Sequence, residues 1–214
     1  RKMVRRGPPV HPRAKYDSEA FKKSVGLNGV GIKAVNALSN FFEIQAWRDG
    51  ETKALEFSKG QLTLDMKNPK RDDGPNGTRL AFELDRTIFP AKAKFKEPFV
   101  EKMCRYYSYL NPALTINFNG KKFRSKDGLL DLLREEMENE ALYPPIHLVG
   151  KDIEIAFTHT PESGEEYYTF VNGQNTSQGG THLAAFREAL VTVIRGFYKK
   201  QYEPSDIRAG IEAA

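Results

Sequence analysis

Residues 24–39 read Ser-Val-Gly-Leu-Asn-Gly-Val-Gly-Ile-Lys-Ala-Val-Asn-Ala-Leu-Ser, and this stretch restricts the fold more than any other. Gly26, Gly29 and Gly31 form a G-x-x-G-x-G pattern that runs directly into a helical apolar period of Ile32, Val35 and Leu38. Glycines at a helix mouth let backbone N–H groups approach an anion, and the helix dipole favours negative charge there. The stretch is therefore a candidate phosphate-binding loop. Spacing excludes its two common forms. Gly26 and Gly31 have the separation of a Walker loop, but Ile32 takes the lysine position, Lys33 comes one place late, and Ala34 has no hydroxyl for magnesium. A dinucleotide fingerprint runs G-x-G-x-x-G after a strand; here the order is reversed, and Ala20 to Ser24 is not strand-like. Alone, the pattern leaves a phosphate loop and a glycine-rich structural turn both open.

The length of 214 residues allows one large or two small domains. No apolar run reaches the length of a membrane span, and no secretory h-region is present. The single cysteine, Cys104, excludes an internal disulfide and a cysteine metal cluster, which suits a reducing cytoplasm. It lies in an apolar helical stretch and reads as inert packing. His11, His147 and His159 are scattered and form no metal motif. The net charge of +5 is local: residues 1–23 carry eight Lys and Arg against Asp17 and Glu19, a net +6, so the remainder sums to −1. The basic balance therefore belongs to the leading stretch and does not mark the body as a strong nucleic-acid binder. Residues 1–13, with Pro8, Pro9 and Pro12, read as an extended or unstructured basic lead that is either a solvated tail or a polyanion contact.

Along the chain, residues 30–40 read as a helix and Phe41 to Trp47 as a strand. Asp49-Gly50 is a hairpin signal leading to strands at Lys53–Phe57 and Leu62–Met66. Residues 68–77 are loop by composition, and Thr78–Leu84 alternates as a half-buried strand. A helix over Glu97–Leu110 precedes a strand at Leu114–Phe118, which Asn119-Gly120 turns into Lys122–Arg124. Ser125 is placed to cap a helix over Lys126–Glu138. Strands follow at residues 146–149, 152–160 and 165–171. The longest helix spans residues 181–201, with Leu183, Phe186, Leu190, Val193, Ile194 and Phe197 as its core stripe and Thr181 as its cap. Residues 205–214 read as another short helix. The fold class is α+β, with mostly antiparallel strands and helices covering one face, and a domain break near Arg124–Lys126.

The glycine stretch does not stand alone. Gly26-Leu27-Asn28-Gly29-Val30-Gly31 followed by Lys33-Ala34-Val35-Asn36-Ala37-Leu38-Ser39 resembles the nucleotide box of type IIA bacterial DNA topoisomerase B subunits (gyrase B and topoisomerase IV B), members of the GHKL ATPase superfamily. The resemblance continues through Lys15-Tyr16-Asp17, Trp47-Arg48-Asp49-Gly50, Gly77-Thr78, Ser108-Tyr109-Leu110-Asn111 and Phe170-Val171-Asn172-Gly173-Gln174. Its most specific block is Gly179-Gly180-Thr181-His182-Leu183-Ala184-Ala185-Phe186-Arg187.

That resemblance implies a Bergerat-type (GHKL) antiparallel sheet with helices on one face, over the C-terminal part of a nucleotide-binding domain at residues 14–125. It implies an incomplete α/β transducer domain over residues 126–214, with a left-handed βαβ crossover. It also implies a bacterial, cytoplasmic, nucleoid-associated protein that couples ATP binding and hydrolysis to DNA strand passage, as a homodimer with a topoisomerase A subunit. By position, the amides of Leu27, Asn28, Gly29, Val30 and Gly31, opened by Gly26, would wrap the triphosphate. Lys15 would sit near the phosphates, Phe21 would pack near adenine, and Thr78 would enter the adenine pocket. Two of these depart from gyrase, which has tyrosine where Phe21 stands and histidine where Asn28 stands. Phe21 has no hydroxyl to offer, whereas Asn28 can still donate to phosphate. The family's catalytic glutamate, magnesium-binding asparagine and adenine-binding aspartate would precede Lys15, and its transducer lysine would follow residue 214. No residue here takes the catalytic or Mg2+-ligand role, and the chain is expected to be an internal fragment, inactive by itself. The Gly179–Arg187 block argues against the competing reading of a mismatch-repair GHKL ATPase. A non-catalytic scaffold or binding module is the third reading.

Overall fold

The computed structural model describes residues 30–214, and the chain divides into two compact units between Lys94 and Phe95. In the first, helix α1 (Val30–Ala37) leads into an antiparallel sheet of β1 (Ser39–Arg48), β2 (Glu51–Ser58), β3 (Gln61–Asp65) and β5 (Gly77–Leu84) in the order β3-β2-β1-β5, with β4 (Lys70–Arg71) on β2. The Asp49-Gly50 signal is realised as a two-residue turn: both residues have positive φ, 55° and 79°, and Arg48 pairs with Glu51 across it. That conformation suits the strand twist, and glycine adopts it without steric cost. The short β4 falls inside residues 68–77, which composition assigns wholly to loop. Lys70 and Arg71 borrow the pairing edge that Thr52 and Glu51 leave open.

Registers put Phe42, Ile44 and Ala46 of β1 on one sheet face with Leu55 and Phe57 of β2 and Leu80 and Phe82 of β5. Phe42 is nearly fully buried and meets Phe57 edge-on. The join of α1 to the sheet is held by polar groups. Ser39 is buried and donates to the Val35 carbonyl, the Asp85 amide donates to the Leu38 carbonyl, and the buried Asp85 carboxylate pairs with Lys59 at 3.0 Å.

The second unit contains α2 (Glu97–Leu110), the hairpin β6 (Ile116–Phe118) and β7 (Lys121–Phe123), and α3 (Leu129–Glu136). These are followed by β8 (Ile146–Val149), β9 (Glu154–His159) and β10 (Glu165–Tyr167). A small hairpin, β11 (Phe170–Val171) and β12 (Gln174–Asn175), precedes α4 (Thr181–Tyr198), α5 (Pro204–Arg208) and β13 (Ile211–Ala213). The main sheet runs β10-β13-β9-β8. β10 and β13 are parallel, so the chain between them makes a βαβ crossover through α4, while the other pairs are antiparallel.

Both faces of this sheet are covered. Ala156 packs with Tyr106, Tyr109, Leu129, Leu132 and Leu133 of α2 and α3, while Phe157, Ile211 and Ala213 pack against Phe186 and Leu190 of α4. Leu132 and Leu133 are completely buried, each contributing roughly 1.5–3 kcal/mol of transfer free energy. Burial on that scale is what holds α3, since an eight-residue helix is marginal by itself. The same cluster explains why packing divides the chain earlier than the expected break at Arg124–Lys126. α2 shares its core with α3 and β9, so it belongs to the second unit.

Several expected elements are corrected. α3 begins at Leu129, not at residue 126. Ser125 is not its cap: Gly128 holds the cap position with no side-chain bond, and the Ser125 hydroxyl instead accepts from the Gly128 amide and donates to Asp131 in the turn before the helix. Residues 165–171 break into β10 and β11 because Asn172-Gly173, at φ 49° and 81°, pulls Phe170–Val171 into a separate hairpin. α4 ends at Tyr198, where Lys199 turns left-handed at φ 54°. Of its expected core stripe, Val193 and Phe197 are 67% and 78% exposed. Eighteen helical residues span roughly 27 Å, longer than the strands they cover. Residues 205–214 are helical only to Arg208, then turn at Gly210 into β13. Thr181 is the first helical residue, not a cap: Gly180 holds the cap position and no side chain bonds there.

Candidate functional site

Of the predicted nucleotide residues, Lys15, Phe21, Gly26, Leu27, Asn28 and Gly29 lie outside the described residues. Val30 and Gly31 open α1, and Thr78 is the second residue of β5. Val30 is 60% exposed, no acidic residue stands in the first turn of α1, and a Cβ built on Gly31 would meet nothing within 4 Å. Among the described residues nothing crowds Gly31 and no acidic side chain stands in the first turn, which leaves its backbone accessible, as far as they reach, to a negatively charged group. These features fit a phosphate.

Thr78 pairs with Ala46 across the sheet, seven residues along β1 from the Ser39 end where α1 enters. That separation is roughly 23 Å of strand. No hydrogen bond joins Thr78 to Val30 or Gly31. The structure thus brings the helix mouth and the threonine to one sheet without linking them directly. Thr78 shares its face with Ala46, Ile44 and Leu80, an apolar lining of the kind a nucleobase requires.

The approach to Thr78 is braced by a loop that motif reasoning passed over. The Trp47 indole donates to Asp72 at 3.0 Å, Asp72 accepts from the Gly74 amide, and Asn76 accepts from the Asp49 amide. These bonds tie residues 72–76 to the β1–β2 turn immediately before Gly77-Thr78. Trp47 and Asp49 belong to a quoted motif, but nothing in the spacing identifies Asp72 as their partner.

In the second unit, the Gly179–Arg187 block forms the entry to α4. His182 Nε2 lies 3.2 Å from the Thr176 hydroxyl, which bonds Thr169. Arg187 reaches Glu165 at 2.9 Å and stacks over Tyr167 at 4.5 Å. Arg208 reaches the other Glu165 oxygen at 3.1 Å, and the Tyr167 hydroxyl donates to Glu165. Burial alone would raise the Glu165 pKa, yet the Tyr167 and Arg208 hydrogen bonds and both guanidinium charges hold it below its ordinary value. Burial pushes Tyr167 up to about 12. Glu165 therefore clamps β10 to α4 and α5, a positioning network with no free nucleophile. Among the described residues no three His, Cys, Asp or Glu are grouped to hold a metal, and no helix is long and apolar enough to cross a membrane.

The family described as DNA gyrase B matches residues 121–212. The B subunit of DNA topoisomerase 4 from Borreliella burgdorferi is 44% identical over 95% of this chain and 34% of its own length. The B subunit of DNA gyrase from Archaeoglobus fulgidus is 31% identical over 95% of this chain and 35% of its own. The 43K ATPase domain of Thermus thermophilus gyrase B, solved with an aminocoumarin, superposes with a TM-score of 0.73 at 27% identity, over 87% of this chain and 57% of that one. The ATPase region of Saccharomyces cerevisiae topoisomerase II shares the fold, with a TM-score of 0.67 at 20% identity, over 88% of this chain and 50% of that one.

The fold is a mixed α/β one with antiparallel sheets that matches the GHKL ATPase regions of these solved structures. In sequence and fold it is similar to the B subunits of type IIA DNA topoisomerases, with matches to both topoisomerase 4 B and gyrase B. The chain spans about a third of the length of these curated relatives.

Proposed function

We propose that this chain is the nucleotide-lid and transducer part of an ATP-dependent type IIA topoisomerase B subunit. Such a protein couples ATP binding and hydrolysis to passage of one DNA duplex through another. The identity of 44% across 95% of the chain to a topoisomerase 4 B subunit carries this reading. The open helix mouth at Gly31 is the local feature that agrees with it.

On this reading residues 14–125 complete a nucleotide-binding domain, and residues 126–214 form the transducer. The gyrase B family match begins at Lys121, close to that boundary, while packing groups α2 with the second unit. Amides from Leu27 to Gly31 hold the triphosphate, Lys15 neutralises it, Phe21 packs near the base, and the Thr78 hydroxyl bonds adenine from the apolar sheet face. Mg2+ supplies further charge neutralisation on the phosphates when bound, and no residue of this chain is assigned to it. DNA, a topoisomerase A subunit and a second copy of the B subunit are the partners, in the bacterial cytoplasm.

The test uses Gly31→Ala in the full-length protein. Alanine meets no neighbour among the described residues there and raises helix propensity, so folding is expected to be unchanged or up to about 1 kcal/mol more stable. Its methyl group occupies the space a phosphate must enter, so ATP affinity is expected to fall at least tenfold. Unchanged nucleotide affinity would remove Gly31 from the site.

A further inference from the structure

The segment after the β6–β7 turn carries Lys121, Lys122, Arg124 and Lys126 with no acidic residue among them. Its burial alternates. Phe123 and Ser125 are buried, and Lys122, Arg124 and Lys126 are exposed between and beside them. The three cations therefore form one outward row, and side chains two residues apart on an extended chain stand about 6.6 Å from each other.

Their neighbours are already neutralised. Lys121 pairs with Glu101 at 2.7 Å, Arg105 with Glu135, and Arg134 with Asp127 at 3.4 Å. Lys122, Arg124 and Lys126 have no ion-pair partner among the described residues. The row borders two depressions, of about 570 Å³ and about 450 Å³, that share Arg124. Both lie within the second unit, among α2, the hairpin and the start of α3.

The row is also held still. The Asp131 carboxylate accepts from the Ser125 hydroxyl at 2.7 Å and from the Lys126 and Asp127 amides at 3.0 and 2.9 Å. Burial of this carboxyl opposes its ionisation, but the Asp127, Ser125 and Lys126 hydrogen bonds prevail and keep its pKa lowered. The carboxylate thus fixes the backbone beneath the cations. Unpaired cations on a backbone fixed in this way lose less entropy on meeting a regular array of anions than they would on a mobile loop.

We propose that Lys122, Arg124 and Lys126 form a contact site for consecutive phosphates of a DNA duplex backbone. The assignment of the partner rests on the topoisomerase reading above. A phosphodiester strand presents singly charged groups at regular intervals, matching a one-sided row better than an acidic peptide of irregular spacing does. Contacts of this kind position a duplex without reading its sequence.

The test is anisotropy of a fluorescent duplex titrated with the 214-residue chain across a series of KCl concentrations. The variants are Lys122→Gln/Arg124→Gln/Lys126→Gln and, as an equal charge change in the first unit, Lys67→Gln/Lys92→Gln/Lys94→Gln. Three lost phosphate contacts are expected to reduce the slope of log K against log[salt] by about 2.7. The control is expected to leave the slope as it was. A slope unchanged in the first variant, or lowered equally in the control, overturns the site. Equal loss of polyglutamate binding in the first variant overturns DNA as its partner. Failure of the unsubstituted chain to bind any duplex instead counts against the DNA reading on which the site rests. Circular dichroism melting shows that the variants remain folded.

Discussion

Gly210 is the position where a single atom decides whether the second unit closes. Its φ is 74°, and a Cβ there would lie 2.2 Å from the Thr160 carbonyl oxygen and 2.6 Å from that of Glu162. Neither neighbour is a flexible side chain. The Gly210 carbonyl accepts from Thr160, and its amide donates to Gly164, so the backbone cannot withdraw without losing both bonds. Gly210→Ala is expected to destabilise the protein by about 3 kcal/mol or more, read as a lower urea midpoint. A variant within about 1 kcal/mol of the parent would show that the 160–164 turn yields easily. Gly31 shows the opposite case, with no described residue within 4 Å of an added Cβ. The two glycines look alike in sequence. What separates structural need from room for a ligand is the set of atoms that distant residues bring close.

Among the elements, β13 carries an internal conflict. Glu212 is buried on the middle strand, one carboxylate oxygen has no hydrogen-bond partner, and Glu166 stands directly beside it in the parallel register. Burial, reinforced by the charges of Glu166 and Glu138, raises its pKa above the ordinary carboxylate value. A folded-state pKa above the unfolded one means that the fold favours the protonated form. The stability this confers is full below the unfolded pKa and is lost as pH rises through the folded pKa. Glu212→Gln is thus expected to raise the urea midpoint at neutral pH, with the gain shrinking as pH falls through the raised folded pKa and gone once pH is below the ordinary glutamate range. A constant difference across pH would remove the titration from the account. β13 was not legible in the sequence. Ile-Glu-Ala is too short to establish a strand period, and its pairing partners lie about fifty residues away. By contrast, β1, β2, β5 and α2 were legible because their apolar periods are long and local. Ser125 reads as a cap in the sequence but sits in the turn before one, and Asp131, which organises that turn, was not legible because side-chain hydrogen bonding leaves no periodic trace. The candidate site was legible only as motif, and the loop that braces Thr78 through Asp72 came from folding alone.

For the molecule as a whole, resemblance to longer relatives sets the expected activity. No residue of the chain is assigned as general base or as Mg2+ ligand, and hydrolysis needs both a placed base and phosphate charge neutralisation. The 214-residue chain is accordingly expected to show no magnesium-dependent ATP turnover in a coupled assay. Measurable turnover by the isolated chain would place a complete catalytic group within it. The two units also differ in how they assemble. In the first, strands adjacent in sequence pair through tight turns from β1 to β3. In the second, β9 and β10 are joined only through β13, which follows them after the long α4. On the ribosome, where a chain emerges from its N-terminus, β9 and β10 appear well before the strand that belongs between them. The second sheet therefore cannot close until residue 213 has been made and released. Until then the nascent chain presents two unpaired strand edges flanking a vacant slot, the kind of surface that binds chaperones or mispairs with a neighbouring chain.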